Sequence, residues 1–310
     1  VTAVGGAVTG VAARRSARRP LSAEAVTGYA FIAPALLLIA GLIGFPFGLA
    51  LWFSVTETWV GRPGPFVGLA NFVRLSQNGT FQQTLFNSVI YTVGAVLLKS
   101  VFGFALALLL LRITRFRRLI RGAILLPFVI PTALSVLAWW WMFEPTYSVL
   151  NWTGRALGLI ATDVPWLSDP TLAKAAIIVV NAWRGLPFFA ITILAGLVAI
   201  PQEYYEAAES DGAGPWQRFR HVTVPLVKPV LGVVVLFSTI LTLADFNIVY
   251  LMTRGGPMNS THLFSTLAHQ AGMTSGRLSE GAAISLFLFP MLVAVVIVQL
   301  RLIRRQTAYE

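Results

Sequence analysis

Long apolar runs separated by short polar stretches dominate this chain. Six of the runs reach the roughly 20 residues that a helix needs to cross a lipid core about 30 Å thick. They cover 29–53, 85–111, 123–143, 172–198, 230–252 and 282–302. Each is too long for a membrane-barrel strand, and none alternates apolar and polar residues in period two. The pattern therefore predicts an all-α membrane protein with six transmembrane helices occupying residues 28–305. Residues 1–27, small and basic without periodicity, are expected to be disordered, and 306–310 to form a tail.

One polar interruption, 201–229, holds more structure than a return into the membrane requires. Pro201 is placed to open a first short helix at N1, with Glu203 and Glu206 near its positive end. Gly212 is placed to end that helix in the left-handed conformation. Pro215 can open a second helix, 216 to about 222, which Pro225 is expected to stop. Trp216, Phe219 and Val222 fall on one face of it, and Gln217, Arg218, Arg220 and His221 largely on the others. Such a helix calls for a partner with an apolar groove and a polar or acidic rim.

Composition agrees with the membrane reading. Hydrophobic residues make up 56% of the chain and charged ones 11%, and the mean hydropathy is +0.76, which excludes a soluble domain of this size. Charge then sets an orientation. Fifteen of the 23 Lys and Arg lie at Arg14–Arg19, Arg112–Arg121, Arg218–Lys228 and Arg301–Arg305. By the positive-inside rule these segments and both termini face the cytoplasm. The net charge of +11 thus reports topology and gives no reason to expect a nucleic-acid partner. The first apolar run has no small-residue cleavage site behind it and is read as an uncleaved span. The absence of cysteine excludes disulfides and thiolate metal sites.

The 201–229 segment closely resembles the EAA loop of permease subunits of ATP-binding-cassette (ABC) importers. The family pattern is Glu-Ala-Ala, three residues, Gly, nine residues, then Ile-x-Leu-Pro. Here it reads Glu206-Ala207-Ala208, Gly212 and Val222-Thr223-Val224-Pro225, with two apolar-for-apolar departures. Further matches are Pro34-Ala-Leu, Gly68-Leu-Ala-Asn71-Phe72, Leu126-Pro127 with Pro131, Trp139 to Pro145 with Asn151, Asn181-Ala-Trp183-Arg-Gly-Leu-Pro187-Phe188 and Gly255-Gly-Pro257. They narrow the resemblance to carbohydrate-uptake permeases of the maltose, trehalose and glycerol-phosphate type. Arg254 stands where the family usually has Gly, and Ser148 where Gly is common.

The resemblance implies the type I ABC importer permease fold in a bacterial inner membrane. It implies that Glu206, Ala207, Ala208, Asp211, Gly212, Ala213, Trp216, Phe219 and Pro225 couple the chain to a separate ATPase. It also implies a second, homologous permease subunit, a dimer of ATPase subunits that use ATP and Mg, and an extracytoplasmic sugar-binding protein. No cofactor is expected on this chain. The alternatives are a permease for a non-sugar solute, or a self-sufficient secondary transporter or channel.

Lys99, Arg184 and Asp245 fall within or near predicted spans, where an ionised group costs roughly 2.5–3.5 kcal/mol. They therefore call for a cavity or a partner. Asn181, Trp183 and Arg184 on the fourth span, with Asp245 and Asn247 on the fifth, are candidates to line a translocation path. The competing reading is a structural pairing of Asp245 with Arg184 or Lys99. Pro127 and Pro131 predict a kink in the third span. The segment Gly94 to Ser100 resembles a phosphate loop only superficially, since Leu98 replaces the Gly before Lys99 and the segment lies inside an apolar run. No catalytic or metal-ligating grouping is visible, so the chain is not expected to be an enzyme.

Overall fold

A computed structural model describes residues 23–307. The expectations for 1–22 and 308–310 lie outside the described residues. Fourteen α-helices follow one another among those described: α1 (Ala23–Ile39), α2 (Phe45–Ser54), α3 (Ala70–Ser76), α4 (Gly79–Arg112), α5 (Arg117–Val129), α6 (Thr132–Phe143), α7 (Val149–Ala156), α8 (Pro170–Val198), α9 (Gln202–Ser210), α10 (Pro215–Arg218), α11 (Val224–Leu243), α12 (Asn247–Met252), α13 (Phe264–His269) and α14 (Leu278–Thr307). The described residues fall into two compact units, which divide between Leu49 and Ala50. In the first, α1 begins at Ala23, inside the stretch expected to be disordered, and a π-helical turn at Ala40–Gly44 leads into α2.

Five helical runs are long and apolar enough to cross a membrane: Thr27–Ser54, Gly79–Arg112, Pro170–Val198, Pro215–Leu243 and Leu278–Arg301. A sixth is present if the bent pair α5 and α6 is taken as one span. That third span is not a continuous helix, because α5 and α6 meet at 86°. Pro131 causes the break. Its ring disfavours the helical conformation at the preceding residue, and Ile130 is extended at φ −60°, ψ 132°. Pro127 lies within α5 without ending it.

The fifth span also departs from expectation. Its helix stops at Leu243, and Ala244–Phe246 separate it from α12. Asp245 therefore sits in a break, not inside the span. At the other end the helical run begins at Pro215, because Pro225 does not stop it. A π-helical turn at Phe219–Thr223 precedes Pro225, with the Val224 amide bonded back to the Phe219 carbonyl. This wider turn shifts the hydrogen-bond register just before the residue that has no amide to give.

Helices α4 and α8 pack along their length, and α11 lies against both. Their core near the 201–229 loop holds Leu110, Phe189, Ile193, Leu197, Val227 and Val234. At the opposite end, Asn71 donates to the Ser54 and Thr56 carbonyls at 2.8 and 2.7 Å. Asn151 bonds the Val164 backbone in both directions and accepts from the Trp166 indole. Ser148 caps α7 through its hydroxyl. Arg254 adopts φ +50°, a left-handed conformation that glycine takes without strain and that fits the expectation of Gly at this position.

The approach of α14 to the segment after α13 is closer than a side chain permits. A Cβ on Gly281 would fall 2.6 Å from the Gly272 Cα and 2.8 Å from the Ala268 carbonyl oxygen. Gly281→Ala is expected to destabilise the detergent-solubilised chain by about 1–3 kcal/mol. Gly122→Ala, where nothing lies within 4 Å, serves as the control. An unchanged thermal midpoint for Gly281→Ala would contradict this packing.

Candidate functional site

The 201–229 loop is built on a helix stop and a helix start placed back to back. Pro201 precedes α9 as its N-cap, one position earlier than expected, because its ψ of 138° is extended. At the other end Gly212 takes φ +80°. Its amide bonds the Glu209 carbonyl, and the Ala213 amide bonds the Ala208 carbonyl at 2.9 Å. This pair of bonds satisfies the orphan carbonyls at the end of α9 and reverses the chain. Gly214 then caps α10, its amide donating to the Gln217 side chain at 2.8 Å, with Pro215 at the first helical position.

Three contacts hold the two helices of the loop to each other and to the bundle. Arg218 pairs with Glu209 at 3.0 Å across the solvent-exposed side, a contact of modest strength. Tyr205 and Thr223 share a hydroxyl–hydroxyl bond of 3.1 Å. Phe219 meets the edge of Phe104 on α4 at 5.8 Å between ring centroids and stacks on Trp216 at 5.4 Å. The shared face of Trp216 and Phe219 is thus divided in use: Phe219 is seated on the membrane helix, while Trp216 is 69% exposed. Glu206, Ala207, Asp211 and Pro225 are exposed, and Ala208 and Ala213 half-buried. Among the described residues, Glu206 has no ion-pair partner.

Within the bundle a cavity of about 310 Å³ opens beside the break at Ala244–Phe246. Phe128, Arg184, Phe188, Asp245, Phe246 and Asn247 are among its walls. Asn181 reaches the same cavity, so four of the five path candidates come together. Trp183 is not among the lining residues; its ring lies against Trp139 at 5.5 Å.

Much of the polar chemistry at this site is turned inward. The Lys99 ammonium, on a residue 3% exposed, donates to Asn181 Oδ1 at 2.9 Å and to Thr242 Oγ1 at 2.8 Å. Asn181 Nδ2 donates to Asp245 Oδ2 at 3.0 Å and to the Tyr91 hydroxyl at 2.9 Å. Tyr91 in turn donates to Asp245 Oδ2 at 2.6 Å. Lys99 and Asp245 are therefore linked through Asn181, not as a direct ion pair, and Arg184 pairs with neither. Asn181 spends both ends of its amide on this network. Arg184 Nε is buried without a hydrogen-bond partner.

Tyr91 and Thr242 were not among the residues singled out from the sequence. A hydroxyl in an apolar helix is an ordinary sight, and only the folded bundle puts these two beside Lys99 and Asp245. Lys99 itself was visible as a charge inside a span.

Residues 99–307 match the family described as binding-protein-dependent transport system inner membrane component. The chain is 36% identical over 279 residues to the trehalose/maltose transport system permease protein MalF of Thermococcus litoralis, covering 90% of this chain and 94% of that one. It is 34% identical to the sulfoquinovosyl glycerol transport system permease protein SmoG of Agrobacterium fabrum, covering 88% and 89%. A solved structure of a bacterial ABC transporter involved in alginate import superposes with a TM-score of 0.78 at 22% identity, over 90% of this chain and 96% of that one. The fold is accordingly that of an ABC importer permease, a multi-pass inner-membrane protein. The chain belongs to the family of inner-membrane components of binding-protein-dependent transport systems.

Proposed function

We propose that this chain is the transmembrane subunit of an ATP-driven sugar importer and that its 201–229 loop docks into a cleft of a separate ATPase. The observation that carries this reading is the construction of the loop. The turn at Gly212 leaves Glu206, Asp211 and Trp216 facing outward, while Phe219 sits on Phe104 of a membrane helix. A push on the outward face is delivered to α4 and, through the unbroken run Pro215–Leu243, to the break beside Asp245. Two ATPase subunits use ATP and Mg, a second permease of similar fold completes the path, and an extracytoplasmic binding protein delivers the solute. The loop and both termini face the cytoplasm.

The relatives named for trehalose, maltose and sulfoquinovosyl glycerol support a sugar as the solute. The cavity supports it as well. Phenyl rings of Phe128, Phe188 and Phe246 offer faces to C–H surfaces, and Arg184, Asn247 and the second oxygen of Asp245 offer partners to hydroxyls. The test is uptake by the reconstituted complex, with its binding protein, of labelled saccharides against labelled amino acids. Saccharide uptake alone supports the reading, and amino-acid uptake alone overturns the sugar assignment.

A further inference from the structure

The turn joining α4 to α5 gathers Arg112, Arg115, Arg117, Arg118 and Arg121. No Asp or Glu occurs between Glu57 and Glu144, and the ion pairs among the described residues involve none of these five arginines. Four of them are exposed, and half-buried Arg121 has an Nε with no hydrogen-bond partner. Arg117 and Arg118 also occupy the first turn of α5, which has no side-chain cap, where the helix dipole disfavours a cation. The local electrostatics are thus adverse unless an anion from outside the chain is present.

Two apolar side chains share the turn. Phe116 holds φ +57°, a costly conformation for a bulky residue, yet its ring is 70% exposed and gains no burial within the chain. Leu119 is 72% exposed. The turn itself is anchored, since Ile113, Ile120 and Ile124 pack on the core around Leu110, Leu197 and Val227. Arg112 closes an apolar membrane helix, and a new apolar run begins directly after Gly122. The arginines therefore stand within about one helical turn of the hydrocarbon boundary, the depth of phosphate headgroups.

We propose that this turn binds anionic phospholipid headgroups of the leaflet on the side of the 201–229 loop. The five guanidinium groups take the phosphates, while Phe116 and Leu119 enter the acyl boundary below them. An acidic surface of the ATPase would satisfy the charges but would leave the two apolar tips in water, so the lipid is the better occupant. The choice of leaflet rests on the orientation given above; the lipid preference does not, and it is read out without any transport measurement.

The test uses the assembled complex in nanodiscs of phosphatidylcholine and phosphatidylglycerol in equal parts, with retained lipids counted by native mass spectrometry. Wild type is expected to retain phosphatidylglycerol over phosphatidylcholine. The Arg115→Gln/Arg117→Gln/Arg118→Gln variant should lower that preference by about tenfold or more. The corresponding triple lysine variant should keep it, which separates charge from misfolding, and inorganic phosphate should not displace the retained lipid. An equal preference in the wild type and the glutamine variant overturns the proposal. So does loss of the ATPase from the glutamine variant with its lipid content unchanged, which would assign the surface to that subunit. Failure of ATP-driven uptake with lipid preference intact would instead count against the transport reading alone.

Discussion

Replacing Gly212 by valine is expected to abolish ATP-driven uptake while the chain still reaches the membrane and assembles. No atom lies within 4 Å of where a Cβ would stand, so steric collision is not the cause. The cause is the backbone. At φ +80° a β-branched residue is strained by more than the roughly 1–2 kcal/mol charged to ordinary residues in the left-handed region. Moving it out of that region breaks the two bonds from Gly212 and Ala213 that reverse the chain after α9. The separation of Glu206 from Trp216 then changes, and the docking face is lost. Gly212→Asn should retain more uptake than valine, because asparagine tolerates this conformation. Uptake by Gly212→Val at the wild-type rate contradicts the role of the loop.

The second large effect is expected inside the membrane. Asp245→Asn leaves the Lys99 ammonium buried with no opposite charge in its network, and Lys99→Met does the reverse to Asp245. Breaking a direct buried ion pair costs about 3–5 kcal/mol, and removing both partners is often neutral. Here Asn181 stands between the charges and Asp245 is half-buried, so the loss for each single variant is expected below that range. Each single variant should therefore give less assembled complex, and Lys99→Met with Asp245→Asn should restore the amount. A double variant that assembles no better than the singles contradicts the link through Asn181. Arg184→Gln and Asn247→Ala touch the cavity wall outside this network. They should change uptake without changing assembly.

Hydropathy made the membrane runs legible because a span is above all a length of apolar chain. The breaks within them were legible only where a residue type announces one. Pro131 did so, whereas Ala244, Asp245 and Phe246 carry no strong breaker, and the end of α11 at Leu243 follows from tertiary context. Pro225 misled for the opposite reason. A proline reads as a stop, and the π-helical turn that accommodates it leaves no pattern in hydrophobic spacing. The 201–229 loop was legible in detail because Gly212, Pro215 and the aromatic positions each act on local backbone. The polar network was only half legible: Lys99, Asn181 and Asp245 stand out in sequence, whereas Tyr91 and Thr242 are ordinary hydroxyls that join them only once α4, α8 and α11 pack together.

Reconstitution measures the central claim most directly. Proteoliposomes holding the chain, its partner permease and the ATPase subunits, with ATP on the loop side and loaded binding protein on the other, should accumulate sugar and hydrolyse ATP. Omitting the ATPase, or introducing Gly212→Val, should remove accumulation. Sugar accumulation by the chain alone, driven by an ion gradient without ATP, would contradict the account.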